Sequence, residues 1–315
     1  MGQSMQQVFR SIPVPMSGLM LALASAGSLF YSYGERYRLI LGVISSIILL
    51  ALVMKIIFDS QGVREDLKNP AIAGIAASFP MAIVVFSTYL QPKFSLIAYL
   101  IWLAGISIHA IFAIYYTKRV ILDFHIHKIF PSCFVVYVGI AVGSLTAPVF
   151  NALEFGKILF WFAFISYLIL LPVISYRVIA VKEIPEPLLP TITIFAAPAS
   201  LCLAGYLNSF SDKNIVLFWL LVSLSISMLI TVLFYMPKML KSKFYPSYSA
   251  FTFPIVVSAI AIKNTNVFLT QIHIKVPFIN YLVHIEELLA IIVLLYVLTR
   301  YLVFIFTHSI NINRV

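Results

Sequence analysis

PTITIFAAPASLCLAGYL (190–207) runs, after six residues, into NIVLFWLLVSLSISMLITVLFYM (214–236). The first stretch is punctuated by Pro190, Pro198 and Gly205 and is rich in Ala, Ser and Thr. The second has neither Pro nor Gly and is bulkier. Each approaches the roughly 20 apolar residues that a membrane-crossing helix needs. The same couplet recurs along the chain. The other punctuated members are IPVPMSGLMLALASAGSLF (12–30), AIAGIAASFPMAIVVF (71–86), PSCFVVYVGIAVGSLTAP (131–148) and YSAFTFPIVVSAIAI (248–262), each followed by a smoother apolar partner. Five bent, small-faced helices, each backed by a straighter one, are a plan for a pore rather than for a solid core.

Composition agrees. Of 315 residues 62% are hydrophobic and 10% charged, against about 25% charged in soluble domains. So much apolar surface cannot be hidden in a soluble fold of this size. The chain reads as one all-α integral-membrane domain over 1–315, multi-pass in the cell membrane, with helices predicted at 12–32, 38–58, 71–90, 95–116, 131–151, 157–177, 190–207, 214–236, 248–267 and 281–306. Little chain remains for an extramembrane domain. The opening MGQSMQQVFR precedes an apolar run, but that run belongs to the repeat, so no cleaved leader is expected. Cys133 and Cys202 lie inside apolar segments and read as small packing residues.

The connections 33–37, 91–94, 152–156 and 208–213 are short, while 59–70, 117–130, 178–189 and 237–247 are about twice as long. Short loops force antiparallel neighbours, so the ten segments pair as five hairpins, the last with a longer loop, 268–280. Thirteen basic residues fall on the side of the termini and long loops, among them Arg64, Lys118, Arg119, Lys182 and Lys241, and seven on the other. The positive-inside rule then places both termini in the cytoplasm. The net charge of +10 is thereby an aspect of topology and not a nucleic-acid footprint.

Helix disruptors divide the segments into two kinds. The odd segments contain eight prolines and six glycines, the even ones one proline and two glycines. A proline inside a helix removes a hydrogen bond, and lipid tolerates the freed carbonyl only where neighbours or water satisfy it. The odd helices are therefore expected inside, around a central pore, and the even helices outside. The odd segments carry no mid-membrane charge. Lys263 lies near one end, where it can snorkel. A coupled transporter usually keeps an intramembrane ionisable group, so a passive conduit is expected, selecting by diameter and weak dipoles. Candidate lining residues are Ser17, Gly18, Ser25, Ser78, Pro80, Gly139, Gly143, Ser144, Pro198, Ser200 and Ser258. No acidic side chain lines the odd helices to attract a cation, and basic residues ring both mouths, so small anions are the expected cargo. In the ninth segment Phe253 precedes Pro254, and a ring beside a bend can cross a narrow lumen.

SFPMAIVV (78–85), LIAYLIWLAGISIHAIFA (96–113), FAAPASLCLAGYLNS (195–209) and AFTFPIVVSAIAI (250–262), together with IPVPMSGLMLALAS (12–25), resemble in order and spacing the tellurite-resistance/dicarboxylate transporter family, which includes the slow anion channels of plants. The resemblance spans nearly the whole chain. It implies ten helices as five hairpins about a pseudo-fivefold axis, a homotrimer in the lipid bilayer with one pore per subunit, and occlusion by a phenylalanine that matches Phe253. Bacterial tellurite-resistance members have a glycine after that ring. Pro254 here is closer to the plant pattern. The family implies no cofactor. Its cargoes differ, so two readings stay open: an uncoupled channel for small inorganic or carboxylate anions, and a proton-coupled carrier for malate-like C4-dicarboxylates, sulfite or tellurite.

An enzyme is not expected. Its only candidate cluster is Asp123, His125 and His127, with His109 in the fourth segment, and a His-x-His pair needs further ligands to hold a metal. Glu286 and Glu287 are expected to cap the last helix, or to meet Lys275 or a neighbouring subunit.

Overall fold

The computed structural model describes residues 9–312, and among these there is helix but no strand. Met1–Val8, most of the opening segment weighed as a leader, and Arg314 lie outside the described residues. The principal helices are α1 (Met16–Leu29), α2 (Glu35–Phe58), α3 (Pro70–Leu90), α4 (Ser95–Ile121), α5 (133–150), α6 (Leu153–Val181), α7 (Glu186–Ser209), α8 (Ile215–Leu240), α9 (Pro246–Gln271) and α10 (Ile279–Ile312). Eight of the described helices are long and apolar enough to cross a membrane. The exceptions are α1, of 14 residues, and α5, which is interrupted between Cys133–Tyr137 and Ala141–Thr146. The first segment, expected from residue 12, begins its α-helix at Met16, and Pro13 and Pro15 disfavour the helical region for the residues before them, Ile12 and Val14. Pro237, outside the predicted eighth segment, lies inside α8.

Consecutive helices pack as antiparallel pairs: α1 with α2, α3 with α4, α5 with α6, α7 with α8, α9 with α10. The odd helices also touch one another in a closed cycle, α1–α3–α5–α7–α9 and back to α1. Burial separates the two sets. In the spanning windows of α3, α7 and α9 72–83% of residues are buried, against 28–33% for the five even helices. Large apolar side chains such as Leu96, Ile111, Ile158, Val216 and Phe234 are exposed on the even helices, as a lipid-facing surface requires.

The prolines do less bending and more joining than their positions in sequence imply. Three odd helices change course at one kind of joint. In α3 a helix ends at Ala76 and a second starts at Ser78, with Pro80 third. In α7 a 3₁₀ stretch, Glu186–Phe195, gives way to an α-helix at Ala196, with Pro198 third. In α9 the 3₁₀ turn Pro246–Phe251 gives way at Thr252, with Pro254 third. The first N–H groups of a helix have no partner within it, so a proline there sacrifices little and forbids continuation from upstream.

Hydroxyls stitch neighbouring odd helices together, in two places at a carbonyl beside a joint, Ile75 O and Ala250 O. Ser17 donates to Ile75 O at 3.4 Å and Ser78 donates to Ser17 Oγ at 2.8 Å, across α1–α3. Ser144 donates to Gly205 O at 3.2 Å and Ser209 to Ser144 O at 2.7 Å, across α5–α7. Thr193 donates to Ala250 O at 2.6 Å across α7–α9, and Thr252 to Gly18 O at 3.4 Å across α9–α1. Near the α3–α5 seam His109 of α4 meets Val136 O through Nε2 at 2.9 Å. Non-helical backbone at membrane depth survives where protein groups satisfy it in this way.

Candidate functional site: a constricted ring beneath a basic vestibule

All five odd helices contribute to one small cavity of about 40 Å³ at the level of the joints. That volume has room for only a few waters. Its wall includes Gly18 of α1, Ser78 and Met81 of α3, Phe134 and Gly139 of α5, Pro198 of α7, and Phe253 and Pro254 of α9. The lining is mostly apolar, with Leu21, Val138, Ile194 and Leu201 between the few polar groups. Two aromatic rings meet it. Phe134 is gripped by Phe195, edge-on at 5.4 Å, and by Tyr167 at 6.0 Å. No aromatic ring stacks on Phe253 among the described residues, and its side chain is 8% exposed. Phe134 escapes a reading of the sequence because its place at the cavity is set by packing on Phe195 of α7 and Tyr167 of α6, helices remote along the chain.

Of the residues expected to line a pore, Gly18, Ser78, Gly139 and Pro198 border this cavity beside Phe253 and Pro254. Ser25 lies in the wider space described below. The others occupy seams and outward contacts. Ser17 and Ser144 are in the hydroxyl stitches. Ser200 bonds Ser225 of α8 at 2.8 Å. Ser258 meets Glu286 of α10. A Cβ at Gly143 would sit 2.6 Å from Leu159 Cδ1, so that glycine serves the approach of α6. Pro80 is buried at the α3 joint. A serine in a dry helix bundle satisfies its hydroxyl on the nearest free acceptor, and the neighbour helix supplies it more often than the lumen.

At the C-terminal ends of the odd helices the structure opens into a space of about 460 Å³. Its wall carries two cations, Arg38 of α2 and Lys263 of α9, with hydroxyls and amides from Ser25, Thr88, Asn208 and Asn264, and no carboxylate. Lys263 is tied down: its Nζ donates to Glu287 Oε1 at 2.7 Å, Leu29 O at 2.9 Å and Ser32 Oγ at 2.8 Å. Tyr33 closes this latch by donating to Glu287 Oε2 at 2.6 Å, and that bond to the carboxylate, with some burial, pushes its phenol up to about 12. Glu287 thus meets Lys263 where Lys275 or a second subunit was expected. Arg38 Nη2 donates to Thr88 O at 2.7 Å, and the guanidinium lies over Tyr89 at 4.5 Å and Tyr31 at 5.1 Å. Tyr89 is in turn fixed by donating to Ala24 O at 2.6 Å and by passing over Gly27 and Gly42, where a Cβ would collide with it.

Two buried ionisable side chains with unpartnered atoms, Glu286 and Arg177, were not foreseen. Glu286 is 3% exposed against α9, and its Oε2 has no partner. Arg177, 1% exposed at the far end of α6, donates to Glu183 O at 3.2 Å and leaves Nε and Nη1 unpartnered. The His-rich loop pairs within itself and with a neighbour: His125 Nδ1 lies 3.2 Å from Asp123, which also binds Lys128, and His127 lies 3.5 Å from Glu183. Among the described residues no three His, Cys, Asp or Glu side chains are grouped to hold a metal. Cys133 and Cys202 are free and buried.

No curated protein matches the sequence. Residues 11–302, nearly the whole chain, match the family described as SLAC1, voltage-dependent anion channel. A match of that extent, over an all-helical membrane fold, makes this chain a member of the voltage-dependent anion channel family, a branch of the tellurite-resistance/dicarboxylate transporters.

Proposed function

We propose that the protein conducts small anions through the ring of odd helices, with all ten helices crossing the cell membrane, both termini in the cytoplasm, and one pore in each subunit of a homotrimer. The observation that carries the reading is the joint-level cavity of about 40 Å³, with a basic space of about 460 Å³ farther along the same five odd helices. Phe253 is the gate. It borders the constriction, it adjoins the α9 joint at Pro254, and unlike Phe134 it has no stacking partner among the described residues. An apolar constriction blocks ions by refusing them water, and a ring that swings aside opens it. Phe253→Ala is expected to raise chloride and nitrate currents at least tenfold in oocytes or planar bilayers. An unchanged current, with the variant present at the membrane, overturns the gate assignment.

A second reading, a proton-coupled carrier of malate-like dicarboxylates, sulfite or tellurite, draws support from Glu286. This carboxyl is buried against the gate helix with an unpartnered oxygen, the kind of group that coupling requires. Reversal potentials separate the two. A potential that follows only the anion gradient belongs to the channel, and one that moves with pH belongs to the carrier.

A further inference from the structure

We infer that the mouth of the vestibule carries a proton-operated switch, in which His284 takes up a proton from bulk water, adds a second cation to the Glu287 carboxylate and so uncovers the positive charge of Lys263. The inference rests on the anion-conducting reading above and adds a regulation to it. Three side chains converge on that carboxylate. Glu287, only 5% exposed, accepts Lys263 Nζ of α9 on Oε1 at 2.7 Å and the Tyr33 hydroxyl of the α1–α2 turn on Oε2 at 2.6 Å. His284, one turn earlier on α10, places Nδ1 3.5 Å from the same Oε2 and 3.4 Å from the Tyr33 oxygen. Its side chain is 69% exposed, so the proton reaches the ring from water while the carboxylate beneath stays enclosed.

With His284 neutral, the charges of Lys263 and Glu287 cancel beside the vestibule that Lys263 lines. Histidine changes charge between about pH 5 and 8. A carboxylate oxygen can accept from more than one donor, so protonated His284 joins Tyr33 on Oε2 without displacing it. One carboxylate then serves two cations, and the group gains one net positive charge at the mouth. The other titratable groups near α10 stand apart from this oxygen. Lys263 is the only charged side chain of α9, and α1 has none over Met16–Leu29. Tyr248, in the first turn of α9, bonds Ser242 O at 2.9 Å and lies beside Tyr296, about three helical turns from His284. Glu286 meets Ser258, and Tyr31 lies against Arg38, which donates to Thr88.

Two measurements test the switch. In detergent, the melting temperature of the full chain is compared with that of His284→Gln from pH 8 to pH 5. The pairing of protonated His284 with Glu287 exists only in acid. The wild type is therefore expected to gain about 1–3 °C over the variant as pH falls, a small margin because the ring is exposed. In the Glu287→Gln background that gain is expected to vanish. In planar bilayers, chloride current through Phe253→Ala is expected to rise about twofold when the vestibule side alone is acidified from pH 8 to 5.5, as a more positive mouth concentrates anions. The rise is expected to be absent when His284→Gln is added. No rise in Phe253→Ala, an equal rise in the double variant, or a melting margin indifferent to pH overturns the switch. A margin that moves with pH while Phe253→Ala passes no current at any pH sinks the conduction reading instead and leaves the proton site standing.

Discussion

A glycine at the constriction carries more of the structure than its size implies. A Cβ built on Gly139 would lie 2.1 Å from Val135 O and 2.6 Å from Met81 Sδ. The first contact is with backbone, so the interruption of α5 has to shift. Gly139→Ala is expected to destabilise the protein by about 1–3 kcal/mol, the range for overpacking a closed interior, and to lower the melting temperature in detergent by several degrees. The glycine is plain in the sequence, but its neighbours are not. Periodicity places Gly139 on an inner helix and says nothing of the carbonyl pressed against it. The serines teach the converse. Their presence on the odd segments is legible, yet Ser17, Ser144 and Ser258 spend their hydroxyls on neighbouring helices, and Ser200 bonds Ala196 O of its own helix and Ser225 of α8. In a medium without water each hydroxyl goes to the nearest acceptor, and only the packing decides which acceptor that is.

Between elements, the latch joining the α1–α2 turn to α9 and α10 has a pH signature. Tyr33 donates to Glu287, and its phenol is raised from 10.0 to about 12. A raised folded value means that the contribution is complete below about pH 10 and lost as pH climbs through about 12. The wild type is expected to melt above Tyr33→Phe at pH 8, by a margin of under about 1 kcal/mol because Tyr33 is 54% exposed and solvent screens it. That margin should shrink between pH 10 and 12, and melting curves of the two proteins across that range test it. A constant margin would mean that the hydroxyl does not serve the latch. The joints of α3, α7 and α9 belong to the same scale. Pro80, Pro198 and Pro254 each stand third in a restarted helix, where the sequence alone suggests a bend in a continuous one. A proline announces that a helix cannot run straight through. Whether it bends or stops depends on what caps the broken ends, and at the α3 and α9 joints a hydroxyl from another odd helix reaches Ile75 O and Ala250 O.

For the molecule as a whole, the closed cycle of odd helices lies within one chain, so each proposed pore is complete without a partner. Co-expressing wild type with Phe253→Ala is accordingly expected to give current proportional to the fraction of mutant subunits. A threshold at one mutant per assembly would place the pore between subunits. The membrane class, the couplet of punctuated and smooth helices, the inner and outer sets and the prominence of Phe253 follow from the sequence by itself, because they depend on composition, on spacing and on the rule that disrupted helices avoid lipid. The tertiary structure alone decided that the disruptions meet at one level around a small apolar cavity. It alone brought Phe134 to that cavity and Glu286 against Ser258 of α9, and it paired Lys263 with Glu287, 24 residues away, while Arg38 has no carboxylate partner among the described residues. Those are pairings between helices distant in sequence. An electrostatic balance of that kind is set by distances of a few ångströms across a packed interface, which no pattern along the chain encodes.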